Sequence, residues 1–139
     1  AAGKWDDLGK KNKYRYSAGL GYEWKNLSAR AEYAGGIWEK SILGTDDAKP
    51  YGYYGKLFYT PTDWCKLMLH YNSVDHNFNN FNKTAKGGEE FTTFTPGVQL
   101  KVASSSAIQI QYDIADWKRT DGSQKLKFNR LSAGWRTTF

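Results

Sequence analysis

Residues 125–139 read KLKFNRLSAGWRTTF. Counted back in steps of two, Phe139, Thr137, Trp135, Ala133 and Leu131 fall on one parity, and Thr138, Arg136, Gly134, Ser132 and Arg130 on the other. Successive side chains of an extended chain point to opposite faces, so this pattern reads as a β-strand with one apolar and one polar face.

The same period recurs upstream. Residues 13–24 put Tyr14, Tyr16, Ala18, Leu20, Tyr22 and Trp24 opposite Arg15, Ser17, Gly19, Gly21 and Glu23. Residues 27–37 set Leu27, Ala29, Ala31, Tyr33 and Ile37 against Ser28, Arg30, Glu32 and Ala34, with Gly35-Gly36 as a candidate bulge. Further alternating runs cover 51–60, 64–73, 91–102 and 107–116. With 125–139 this predicts seven strands of about ten residues, within the roughly 9–11 that a tilted strand needs to cross a bilayer. Short connections follow the first, third and fifth strands (Lys25-Asn26, Pro61-Thr62-Asp63 and Ser104-Ser105-Ser106). Long polar ones follow the second, fourth and sixth, at 39–50, 74–90 and 117–125. Residues 1–12, with Lys4, Asp6, Asp7, Lys10 and Lys11, read as a solvated loop or chain start.

Composition narrows the class. The chain has 139 residues, 17% of them aromatic, yet its mean hydropathy is −0.74. No apolar run reaches the ~18 residues of a spanning helix, but alternating strands hide from averaged hydropathy, so a membrane barrel stays open. The net charge of +6 would suit an anionic partner. The aromatics lie on the face opposite the charges, which argues against nucleic acid. A single cysteine, Cys65, allows no internal disulfide, and two histidines with it give no metal-ligand spacing. No glycine-rich phosphate loop is present, and no cofactor is expected. The opening Ala1-Ala2-Gly3 leads straight into charged residues, as expected of a processed end or an internal cut.

A soluble ligand-binding barrel turns its apolar face in; a membrane barrel turns it out. Three features favour outward. Large rings gather near strand ends (Tyr14, Tyr16, Tyr22, Trp24, Tyr51, Tyr53, Tyr59, Tyr71 and Trp135, with Trp64 and Trp117 beside connections), as interfacial girdles do. The opposite face mixes charges with small residues such as Gly19, Gly21 and Ser132. The third is the aromatic ending at Phe139.

That ending resembles the terminal strand of bacterial outer-membrane β-barrels, where a final aromatic residue and apolar residues at alternate positions form the insertion signal. RAEY (30–33), GYYGKLFY (52–59) followed by TPTDW, LMLHYNSVDHN (67–77), and TPGVQLKV (95–102) followed by IQIQYD (108–113) resemble the closing strands of phosphate-selective-type porins of Gram-negative bacteria. The likeness spans most of 27–139 and rests on spacing and a few residue types. It implies a cell outer membrane location, a homotrimer of roughly sixteen-stranded diffusion pores, and basic residues along the lumen.

The expectation is an all-β, up-and-down antiparallel transmembrane β-barrel, of which 13–139 form the seven C-terminal strands. Seven strands cannot close antiparallel, and counting back from the last strand puts Ala1 on the extracellular side. Upstream strands of the same protein or another chain are therefore expected at both open edges. The expected activity is porin-type diffusion of small, preferentially anionic solutes, with outer-membrane lipid around it. The lumen-lining residues would be Arg15, Arg30, Lys56, Lys66, Lys101, Arg130 and Arg136. Against Glu23, Glu32 and Asp113 these seven leave an excess of four positive charges; cross-strand pairing, such as Arg30 and Glu32 with Arg15 and Glu23, is the bland alternative. A non-channel barrel, serving as an adhesin or a sleeve around a partner protein, is the other alternative. No enzyme is expected. Asp75-His76 and Asp46-Asp47 would sit on the loop rim as solvated pairs, and His70 has no serine nearby.

Overall fold

The structure is a computed structural model that describes residues 2–6, 12–42, 46–75, 88–119 and 122–137. It is all strand and turn. The strands are β1 (Ala2–Asp6), β2 (Asn12–Trp24), β3 (Leu27–Ile42), β4 (Asp46–Ala48), β5 (Tyr51–Thr62), β6 (Cys65–Asp75), β7 (Glu89–Ala103), β8 (Ser106–Arg119) and β9 (Lys125–Thr137). They form one antiparallel sheet in the order β1-β2-β3-β5-β6-β7-β8-β9, with β4 beside the end of β3. The seven expected long strands are all present as an up-and-down meander. Among the described residues the sheet is not closed into a barrel: β1 and β9 each pair on one side only.

Two expectations need correction. The first concerns 1–12, read as a loop because of its charges. Ala2–Asp6 is a short strand running antiparallel to β2, with Ala2 opposite Tyr16 and Asp6 opposite Asn12. The path therefore has an eighth, five-residue member, and strand direction alone no longer forbids an antiparallel seam. The sheet stays open all the same. Ala2 lies at the level of Tyr16, well inside the sheet, not at the loop-side end. Likewise 39–50 is not all loop, since Asp46–Ala48 pairs back onto β3.

The second concerns Gly35-Gly36. The β2–β3 register runs unbroken from Lys13↔Trp38 to Trp24↔Leu27, so no bulge lies there. A Cβ on Gly35 would stand 2.5 Å from the Tyr16 hydroxyl; the glycine makes room for that ring. The shifts in register fall elsewhere, between Trp38 and Ile42, between Tyr59 and Thr62, and between Lys101 and Ala103.

The short turns, 25–26, 63–64 and 104–105, lie together at one end of the sheet. Each is stitched to its neighbour: the Thr60 amide donates to the Asn26 carbonyl (2.8 Å), and the Lys101 amide to the Trp64 carbonyl (2.8 Å). The long connections lie at the other end.

Burial reveals the curl. The buried apolar side chains Met68, Ala107 and Ala115 all belong to the polar face, as do the buried Thr95 and Asp113. Among the described residues Ser73, small and opposite Tyr53, is the one buried polar side chain of the other face. Large apolar side chains of the other parity are exposed on every long strand, Leu20 and Leu131 to 71% and 70%. Side chains crowd on a concave face and spread on a convex one, so the sheet is concave on its polar side. Among the described residues no second layer covers the apolar side, which is the opposite of what a water-soluble sheet requires.

Candidate functional site

The concave face carries the chemistry. Each strand contributes alternate residues to it, and the register fixes which of them meet. One row crosses the sheet as Gly21, Arg30, Lys56, His70 and Thr95, and continues through Asp113 to Arg130. Arg30 and Lys56, like charges, stand directly opposite each other; such a pair is destabilising unless water or an anion screens it. The Lys56 ammonium lies 5.2 Å from the Tyr54 ring centroid.

At the far end of this row is the best-satisfied ion pair of the sheet. Asp113 is 6% exposed. It accepts from Thr95 Oγ1 (2.8 Å) and from Arg130 Nε (3.0 Å) and Nη2 (2.7 Å). The Arg130 fork ties β9 to β8, and Thr95 ties β8 to β7. The second tie sits at a weak point. Pro96 has no N–H to offer, and the β7–β8 ladder, its register unchanged, lacks pairings between Phe94↔Ile114 and Gly97↔Gln111. The Thr95–Asp113 bond bridges that gap.

The seven cations named from the sequence all lie on this concave face, but not as one cluster. Lys66, Lys101 and Arg136 line one hollow of about 200 Å³ at the turn end, with Asp63, Gln99 and the hydroxyls of Thr60 and Ser104 to Ser106. Arg130 is spent on Asp113. Arg15 lies across from Gly36 near the other end. The cross-strand pairing that would have neutralised Arg30 and Glu32 through Arg15 and Glu23 is not the register found. Glu32 stands between Gly19 and Tyr54, whose hydroxyl donates to it at 2.9 Å, and Glu23 stands opposite Ser28.

Sequence reading missed three charged members of the described face: Lys13, Glu89 and Arg119. All share its parity; Glu89 and Arg119 lie where β7 and β8 run past their expected ends, and Lys13 is the first residue of the expected 13–24 strand. His70 is packed edge-on to Phe58 with ring centroids 5.5 Å apart, and its Nε2 is buried without a hydrogen-bond partner. Asp46 and Asp47 fall in β4; their side chains, like His76 and Phe139, lie outside what the structure describes. Among the described residues no group of acidic, histidine and cysteine side chains is placed to hold a metal ion, and no helix is long and apolar enough to cross a membrane.

The convex face carries a continuous apolar belt with aromatic borders. Tyr16 packs tilted on Tyr33 (6.2 Å), Tyr33 stacks on Tyr51 (6.3 Å), and Tyr53 on Tyr71 (5.9 Å). Tyr22, Trp24, Tyr59, Trp64 and Trp135 mark the turn-side border. The belt is oblique to the strands. Tyr22, close to its lower limit on β2, shares a cross-strand row with Ala29, Leu57, Leu69 and Pro96, and Tyr112 at that level pairs with Leu131, its upper limit on β9. A belt parallel to a membrane plane must cut strands obliquely when they tilt by about 35–45°.

Beyond the belt, at the loop end of β6 to β9, both faces reverse. The convex side becomes ionic: Lys118 pairs with Glu90 (2.9 Å), Lys127 with Asp116 (3.2 Å), and Tyr51 hydrogen-bonds Asp75. The concave side becomes apolar, with Val74 opposite Phe91, Phe91 opposite Trp117, and Ala115 opposite Phe128. Trp117, read from the sequence as a girdle residue, belongs to this inner group. Comparison with known proteins yields no family model, no curated protein and no solved structure that matches this chain.

Proposed function

We propose that this sheet is part of the wall of an outer-membrane β-barrel channel that passes small, preferentially anionic solutes by diffusion. The observation that carries the reading is the sidedness of the curl: charged and small residues on the concave face, an oblique, tyrosine-bordered apolar belt on the convex one. A soluble barrel needs the reverse arrangement. The ionic fringe beyond the belt at the loop end sets where lipid gives way to water.

The open edges support a larger barrel. The outer edge of β9, and that of β2 from Ser17 to Trp24, have no ladder partner among the described residues. In lipid each unpaired backbone group costs several kcal/mol. Further strands, from the same protein or from another chain in a homotrimer or similar assembly, would complete the wall. Arg15, Arg30, Lys56, Lys66, Lys101, Arg130 and Arg136 then line the lumen. The fixed positive excess raises the local anion concentration and repels cations.

Planar-bilayer recording of the full-length protein tests this. Discrete conductance steps with a reversal potential favouring anions in a salt gradient are expected. Absence of steps, or cation preference, overturns it.

A further inference from the structure

The reversal of polarity at the loop end leaves an aromatic patch on the concave face. Phe91 and Phe128 stack with centroids 6.2 Å apart, and Trp117 lies directly opposite Phe91. Two arginines of the same face flank the patch. Arg130 is two residues along β9 from Phe128; its side chain is 68% exposed even while clamped to Asp113. Arg119 is two residues along β8 from Trp117. Its register partner is Glu89, no ion pair joins the two among the described residues, and the Arg119 Nε has no hydrogen-bond partner.

We infer that this patch is a binding subsite for organic anions that carry a planar apolar ring, with the ring on Phe91 and Phe128 and the anionic group toward Arg119. The inference rests on the channel reading, since it places the patch at the loop-side mouth of the lumen. Charge complementarity selects the occupant. An uncharged apolar guest would leave Arg119 unpaired, and a compact inorganic anion would leave the rings facing water. A ring bearing a carboxylate satisfies both, through ring–ring contact and a charge-assisted hydrogen bond. Glu89 opposes the anion but not the ring, and by standing across from Arg119 it disfavours anions of higher charge.

The test uses the full-length protein in a planar bilayer, with benzoate, acetate and benzylammonium added on the loop side. Benzoate should reduce the small-ion current at a half-blocking concentration about two- to tenfold lower than acetate, the range one ring–ring contact supports. It should also act below benzylammonium, which has the ring and the wrong charge. Phe128→Ser should erase the advantage over acetate. Arg119→Gln, which leaves the rings untouched, should erase the advantage over benzylammonium. Conducting channels that benzoate and acetate block equally overturn the subsite and leave the channel standing. A protein with no conductance overturns the channel itself.

Discussion

The Asp113–Arg130 pair is unequal in a way that makes an asymmetric prediction. The carboxylate is buried on the concave face while its guanidinium partner is largely in water. Removing the acid by Asp113→Ala returns Arg130 to solvent and strands the Thr95 hydroxyl, itself 8% exposed. One buried hydroxyl without a partner costs about 1–3 kcal/mol, so about 2 kcal/mol is expected. Removing the base by Arg130→Ala leaves a buried carboxylate with Thr95 as its one remaining side-chain donor. With the lost partner largely in water the cost is below that of a fully buried pair, and about 3 kcal/mol is expected. Once the acid is gone the arginine has little left to do, so Asp113→Ala/Arg130→Ala should sit near Asp113→Ala and well above the sum of the two. Equilibrium urea unfolding of the protein refolded into lipid vesicles, read by tryptophan fluorescence, measures all three. A double mutant equal to the sum, or Arg130→Ala milder than Asp113→Ala, would refute the reasoning.

Two glycines of the convex face should respond oppositely in the same assay. Gly35→Ala drives its new Cβ into the Tyr16 ring, and losing the tilted Tyr16–Tyr33 contact costs about 0.5–1.5 kcal/mol. Gly55 has nothing within 4 Å of a Cβ, and Gly55→Ala should stabilise by about 0.5–1 kcal/mol through strand preference alone. At the turn end, replacing Lys66, Lys101 and Arg136 together by Gln should shift the reversal potential toward cations while single-channel conductance persists; an unchanged potential would place the selectivity elsewhere.

Much of this fold was legible because two-residue alternation is a direct imprint of one wet and one dry face. The register of β5–β6 shifts beside its turn, between Tyr59 and Thr62, and that of β7–β8 between Lys101 and Ala103, so only that of β2–β3 was available from a tight turn. The register of β8–β9 was not, because a long connection joins them, so the opposition of Asp113 and Arg130 was hidden although both residues had been assigned to the right face. Strands β1 and β4 were missed for a different reason. Ala2–Asp6 and Asp46–Ala48 are short and charged, and their pairing is dictated by neighbouring backbone, not by side-chain pattern. Trp117 lies near a strand end, where girdle residues gather, but its parity is that of the polar face. The alternation simply continues past the belt, and with it the ring lands inside.

The claim on which the rest depends is that the convex face of this sheet lies against lipid. Leu20 tests it most directly. It stands near the middle of the belt on β2, between Ala18 and Tyr22 of the same face, and is 71% exposed. Against water, Leu20→Arg would alter stability by no more than about 0.5 kcal/mol, as exposed substitutions do. Against hydrocarbon it should cost about 2–4 kcal/mol, the range for a basic residue near the bilayer midplane. Unfolding of the variant and the parent in vesicles decides between them: a loss of that size is the predicted result, and stability within about 0.5 kcal/mol of the parent would contradict it.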